Sequence, residues 1–158
     1  MSGETGPIDQ LDAVLVRALL QDARATLAAL AQASGLSVSA VQARVRRLEK
    51  RGVITGYRAQ VAAEAVGMPL AAFIEISPLD PAHQDLIPTQ LEGLCEIEAC
   101  HSVAGDAAYI LFVRVAGPGR LEELIRQIRD TAQVTTRTTV VLQTYFEERP
   151  PMVLTAEE

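Results

Sequence analysis

Apolar residues recur three and four positions apart over the first third of the chain, and at every second position over much of the remainder. Leu11, Val14, Leu15, Ala18 and Leu19 define a helix with one buried face. Asp9 begins it as a cap, and Asp12 sits in its first turn, where a negative charge favours the helix dipole. A shorter helix follows from Thr26 through Leu27, Leu30 and Ala31, and stops at Ser34-Gly35. Ser37 caps a third helix that runs to about Arg51, with Gly52 after its end. Three helices, the last two joined by a tight glycine turn, make a helix-turn-helix. Residues 1–8, with Gly3, Gly6, Pro7 and no periodicity, read as a flexible tail.

Beyond Gly52 the period changes. Val53, Ile54, Tyr57 and Val61 fit a short extended segment, and residues 62–69 (AAEAVGMP) a linker with a helical turn. Residues 70–77 (LAAFIEIS) form a strand, and residues 85–94 a helix with Pro88 in its first turn. Residues 95–103 and 107–115 are strands about the Ala104-Gly105-Asp106 turn. Gly117-Pro118-Gly119 precedes a helix with Leu121, Leu124, Ile125 and Ile128 on one face. Residues 134–146 are a long strand rich in Thr and Val, and residues 149–158 a tail. The order β-α-β-β-α-β is the ferredoxin-like split arrangement, so the fold class is α+β.

Two helices can cover only one face of such a sheet. The strand over 107–115 alternates Tyr109, Leu111 and Val113 with Ala108, Ile110 and Phe112, apolar on both sides. A second, identical sheet would supply the missing cover by two-fold symmetry.

Charge sharpens the division. The net charge of the 158 residues is −6, yet residues 1–61 carry eight basic and five acidic side chains, whereas residues 62–158 carry six and fifteen. A basic end joined to an acidic module points to a nucleic-acid-binding part and a different partner part. On a wheel of 100° per residue, Val45 and Leu48 lie within about 40° of Val41 and form the docking seam of the third helix. Ser39, Ala43, Arg46 and Lys50 fall opposite, flanked by Gln42 and Arg47. Small side chains allow close approach, Gln can pair with adenine, and Arg with guanine or phosphate. The expected DNA contacts are Ser37, Ser39, Gln42 and Arg46 at base edges or adjacent phosphates. Arg44, Arg47, Lys50 and Arg51 are expected on phosphates.

The run from Ala25 to Tyr57 resembles the winged helix-turn-helix of the Lrp/AsnC (feast/famine) transcriptional regulators. In that family a GLS-x-x-x-V-x-x-R-V-x-R-L-E-x-x-G-V-I-x-G-Y pattern spans the recognition helix, and residues 35–57 match it almost position for position. The resemblance implies a DNA-binding domain over 9–61 and a ligand-sensing, oligomerising module, called RAM, over 70–148. It also implies a G-D-x-D-Y-type effector motif, met here by Gly105, Asp106 and Tyr109, with Ala108 in place of the second acid. Thr138 and Thr139 lie where the family supplies further contacts. The glycine turn exposes N–H groups that can hold a carboxylate, and the acid can pair with an ammonium. The implied partners are a pseudo-palindromic double-stranded operator, an amino-acid effector, and further copies of the chain, as a dimer and an octamer built from dimers. An architectural, effector-independent DNA binder is the alternative.

Other classes lack their parts. There is no phosphate-binding glycine loop, nucleophile elbow or zinc motif, so neither an enzyme nor a cofactor is expected. Cys95, Cys100 and His101 lack a second ligand pair at a recognised spacing, so no metal is expected and the cysteines read as buried core thiols. His83, in a polar loop, reads as solvated. No apolar run approaches the ~20 residues of a membrane span, and the first ten residues lack a signal-peptide pattern. A cytoplasmic protein is expected.

Overall fold

A computed structural model of the chain describes residues 8–155. These fall into two compact units. One joins the residues up to Gln60 to those from Phe146 onward, and the other spans Val61–Tyr145.

The first unit is built on α1 (Gln10–Gln21), α2 (Leu27–Ser34) and α3 (Val38–Lys50). Each start is fixed by a side-chain cap. Asp9 accepts from the Asp12 N–H at 2.7 Å, Thr26 from Ala29 at 3.1 Å, and Ser37 from Ala40 at 3.3 Å. Gly35, at φ 70°, takes the left-handed conformation that ends α2 and turns the chain into α3. Leu15, Leu30 and Val41 form one buried cluster that locks the three helices together. Leu48 forms a second with Ile8 and Ala13, against which Val16, Val53, Ile54 and Val153 pack. No strand occurs between α3 and the sheet of the second unit, so the segment around Val53–Val61 joins no ladder.

Val153 in that second cluster changes the reading of the C-terminus. Residues 149–155, expected as a tail, return to the helices, and Thr155 forms a parallel bridge with Ile8. Ile8, at the end of the expected N-terminal tail, is likewise part of the packed structure; residues 1–7 lie outside the described residues.

The second unit begins with a 3-10 turn, Ala63–Val66, stopped at Gly67. It continues as β1 (Leu70–Pro78), a 3-10 stretch (Pro81–Leu86) running into α4 (Ile87–Leu91), β2 (Ile97–Ser102), β3 (Tyr109–Val115), α5 (Pro118–Ala132) and β4 (Val134–Val140). The strands form one antiparallel sheet in the order β2-β3-β1-β4. Ile74, Ile76, Leu111, Val113 and Val115 are fully buried under Ile87 of α4 and Leu124 and Ile128 of α5. The βαββαβ arrangement and its single helical cover therefore match the alternation in the sequence.

Several bounds differ, each for a local reason. The helix expected over 85–94 has only five α-helical residues, because Asp80 and Pro81 start a 3-10 stretch ahead of it. α5 starts at Pro118 itself, in the first turn where a missing N–H costs nothing. The strand expected over 134–146 ends at Val140. Val140 pairs with Ala72, only two residues from the start of β1, so little partner strand remains. One more bond, Val141 N–H to the Ala71 carbonyl at 2.9 Å, closes it. Leu142 and Tyr145 are then exposed. Cys95 and Cys100, expected in the core, are both exposed: Cys95 lies in the turn before β2, and Cys100 on β2, an edge strand. Partial burial nevertheless pushes the Cys100 thiol above its ordinary range, the opposite of an activated thiol. His83 is exposed and bonds Asp80 at 2.9 Å.

Candidate DNA-reading helix and effector loop

Two features of the chain carry chemistry, one in each unit. In the first, Val41 and Leu48 hold one side of α3 against α1 and α2. Ser39, Gln42, Arg46 and Lys50 are exposed on the helix surface, as the wheel predicts. Ser37 is used twice within the protein, as the cap of α3 and in a 3.2 Å contact with the Ser39 hydroxyl. Arg51 is half-buried at the helix end. A recognition helix with one face anchored and the other bearing hydroxyl, amide and guanidinium groups suits the major groove.

Arg44 and Arg47 are placed differently. Both turn toward the start of α1. Arg44 donates through Nη1 to Asp9 Oδ2 and to Asp12 Oδ1, each at 2.7 Å. Arg47 donates through Nη2 to Asp12 Oδ2, also at 2.7 Å. Asp12 is 1% exposed, so it serves as the buried centre of an ion-pair network rather than only as a dipole partner. The hydrogen bond from Arg44 holds the Asp9 carboxyl below its ordinary range, and the Asp9 and Asp12 bonds raise Arg44. The signal was present in the wheel: Arg44 and Arg47 lie three apart on one flank of α3, as Asp9 and Asp12 do at the start of α1.

In the second unit, Gly105 and Asp106 lie exposed in the loop between β2 and β3. That loop is pinned by the Ala108 N–H on the Ile76 carbonyl at 3.0 Å. Beside it a hollow of about 180 Å³ is lined by Glu75, Ser77, Asp106, Ala107, Thr135, Thr136 and Arg137. Arg137 is tied to Glu75, Nε to Oε2, at 3.0 Å. The other expected residues separate from this hollow. Tyr109 is buried, and its hydroxyl donates to the Gln84 carbonyl at 3.2 Å on the helix-covered side. Thr138 pairs with Ile74 on that same side, whereas Thr139 pairs with Phe73 on the bare face. Glu75, Thr135 and Arg137 were not foreseen, because only the pairing of β1 with both β3 and β4 brings them to Asp106.

The model of winged helix-turn-helix DNA-binding domains matches residues 8–55, and that of the Lrp/AsnC ligand-binding domain matches residues 71–151. The HTH-type transcriptional regulator LrpA of Mycobacterium tuberculosis is 54% identical over 90% of this chain and 95% of its own. The chain belongs to the Lrp/AsnC family. It is a helix-turn-helix transcriptional regulator with a ligand-binding domain, in a family of regulators rather than enzymes. The leucine-responsive regulatory protein of Escherichia coli is 33% identical, over 86% of this chain and 85% of that one. Among solved structures, M. tuberculosis LrpA superposes with a TM-score of 0.84 at 51% identity, covering 91% of this chain and 99% of that one. A feast or famine regulatory protein from the same organism, solved in complex with L-methionine, gives 0.88 at 53% identity over 90% and 97%. Among the described residues, no helix of this Lrp/AsnC regulator is long and apolar enough to cross a membrane, and no cluster suits a metal ion.

Proposed function

We propose that the protein is a sequence-specific DNA-binding regulator, acting as a two-fold dimer, whose assembly or DNA affinity responds to an amino acid held beside Asp106. The observation that carries the DNA reading is the division of α3. Val41 and Leu48 are fully buried, while Ser39, Gln42, Arg46 and Lys50 are displayed to solvent. Ser39, Gln42 and Arg46 are assigned to base edges or their phosphates, and Lys50 and Arg51 to phosphates.

The dimer is supported by the sheet face that α4 and α5 leave bare. Phe73 is 44% exposed there and packs against Phe112 with ring centroids 5.0 Å apart and the planes tilted by 44°, beside Ile110. An identical face related by a two-fold axis covers such a surface. Two α3 helices would then read a pseudo-palindrome with half-sites about one helical turn, or a multiple, apart. Association of dimers into an octamer is the further assembly that the family likeness suggests.

The effector reading rests on the Gly105–Asp106 loop and the hollow next to it. The Asp106 carboxylate suits an ammonium, and the glycine turn suits a carboxylate. The methionine complex of the related regulator supports an amino acid as the class. Screening the common L-amino acids by thermal unfolding tests this. At 100-fold excess over its Kd, the effector should stabilise the protein by about 2.7 kcal/mol. Asp106→Asn should remove that shift. An unchanged transition with every amino acid would contradict an amino-acid effector.

A further inference from the structure

We infer that Asp12 and Arg44 are specificity-determining positioning residues, which aim the recognition helix without touching DNA. The inference rests on the DNA reading assigned to α3. The Asp12 carboxylate spends one oxygen on Arg44 and the other on Arg47. Those arginines lie nearly one turn apart on α3. Gripping both from a single point on α1 adds a polar constraint on the rotation of α3 about its own axis to that of the buried seam of Val41 and Leu48. That rotation sets where Ser39, Gln42 and Arg46 meet the base edges.

Competition by phosphate is unfavourable at Arg44. The Arg44 side chain is 24% exposed and its guanidinium is bonded to two carboxylates, one of them on a side chain 1% exposed. Drawing Arg44 to a phosphate would leave Asp12 buried with half of its pairing, a state far more costly than a hydrated surface charge. Arg47 is the more exposed grip, with 50% of its side chain accessible. Asp9 and Asp12 together balance the charges of Arg44 and Arg47, so this flank of α3 contributes little counterion release. The phosphate contacts belong instead to the side of Arg46 and Lys50.

The test compares the full chain on its best-bound duplex and on an unrelated duplex of equal length, across a salt series. Arg44→Gln should leave the slope of log K against log salt unchanged and leave binding to the unrelated duplex unchanged. The ratio of specific to non-specific affinity should fall about tenfold, the size of one misread base pair. Asp12→Asn should lower that ratio in the same way. Lys50→Gln is the phosphate reference, expected to reduce the slope by about 0.9 and keep the ratio.

An Arg44→Gln slope reduced as in Lys50→Gln, with equal losses on both duplexes, would make Arg44 a phosphate contact and overturn the inference. So would a lowered melting temperature with slope and ratio both intact, which is the signature of a purely structural ion pair. Arg44→Gln decides the matter alone if Asp12→Asn does not fold. A wild-type chain that failed to distinguish the two duplexes would refute the DNA reading itself, and the inference with it.

Discussion

Replacing Phe73 by glutamate is expected to convert the proposed dimer into a monomer of intact fold. Phe73 is the exposed aromatic on the bare sheet face, and its neighbours there are Phe112 and Thr139. In the isolated chain a glutamate at this position remains hydrated, and none of the buried residues beneath α4 and α5 is disturbed. In a two-fold interface each dimer would bury two such carboxylates, while Glu75 two residues away is already paired with Arg137. Several kcal/mol per uncompensated ion is the usual scale, so dimerisation should weaken by at least about a thousandfold. DNA affinity should fall with it, since one α3 would no longer hold the other close to its half-site. Light scattering at micromolar concentration, with circular dichroism to confirm the fold, checks this. A variant that remains dimeric would place the interface elsewhere.

Leu48→Ala should have the largest effect on stability. Leu48 is fully buried where α3 meets α1, in contact with the cluster of Ile8 and Ala13 and the flanking Val53, Ile54 and Val153. Truncating a leucine in such a site costs about 2–5 kcal/mol, more when the surroundings cannot collapse. Hydrogen exchange provides the measurement. Amides of α1–α3 should lose protection by that amount, while those of β1 and β3 keep theirs. Removing residues 147–158 acts on the same cluster through Val153 and should cost less, because Val153 is only partly buried. Equal loss across the sheet would show that the two units unfold as one.

What the sequence reveals follows the range of the forces involved. The starts of α1–α3 and the ends of α2 and α3 were legible to within a residue because caps, the Gly35 turn and the apolar period act over three or four positions. The two faces of β3 were legible for the same reason. The end of β4 was not, since it depends on where β1 begins, and the alternation from Thr136 to Tyr145 continues past the last available partner. The hollow beside Asp106 was out of reach too, because Glu75 and Arg137 meet only through pairing across 62 residues. The ion pairs of Asp12 lay between these cases. Their spacing was visible on each helix, but the helix packing that joins them was not.

Selection of bound duplexes from a random-sequence pool tests the central claim most directly. The full-length protein should enrich a pseudo-palindrome with half-sites about one helical turn, or a multiple, apart. Arg46→Ala should lose about 1–3 kcal/mol on the enriched site and relax the base preference at the position it reads. Enrichment of no sequence over the input, with broad salt-sensitive binding to every duplex, would instead identify an architectural DNA binder and contradict sequence reading by α3.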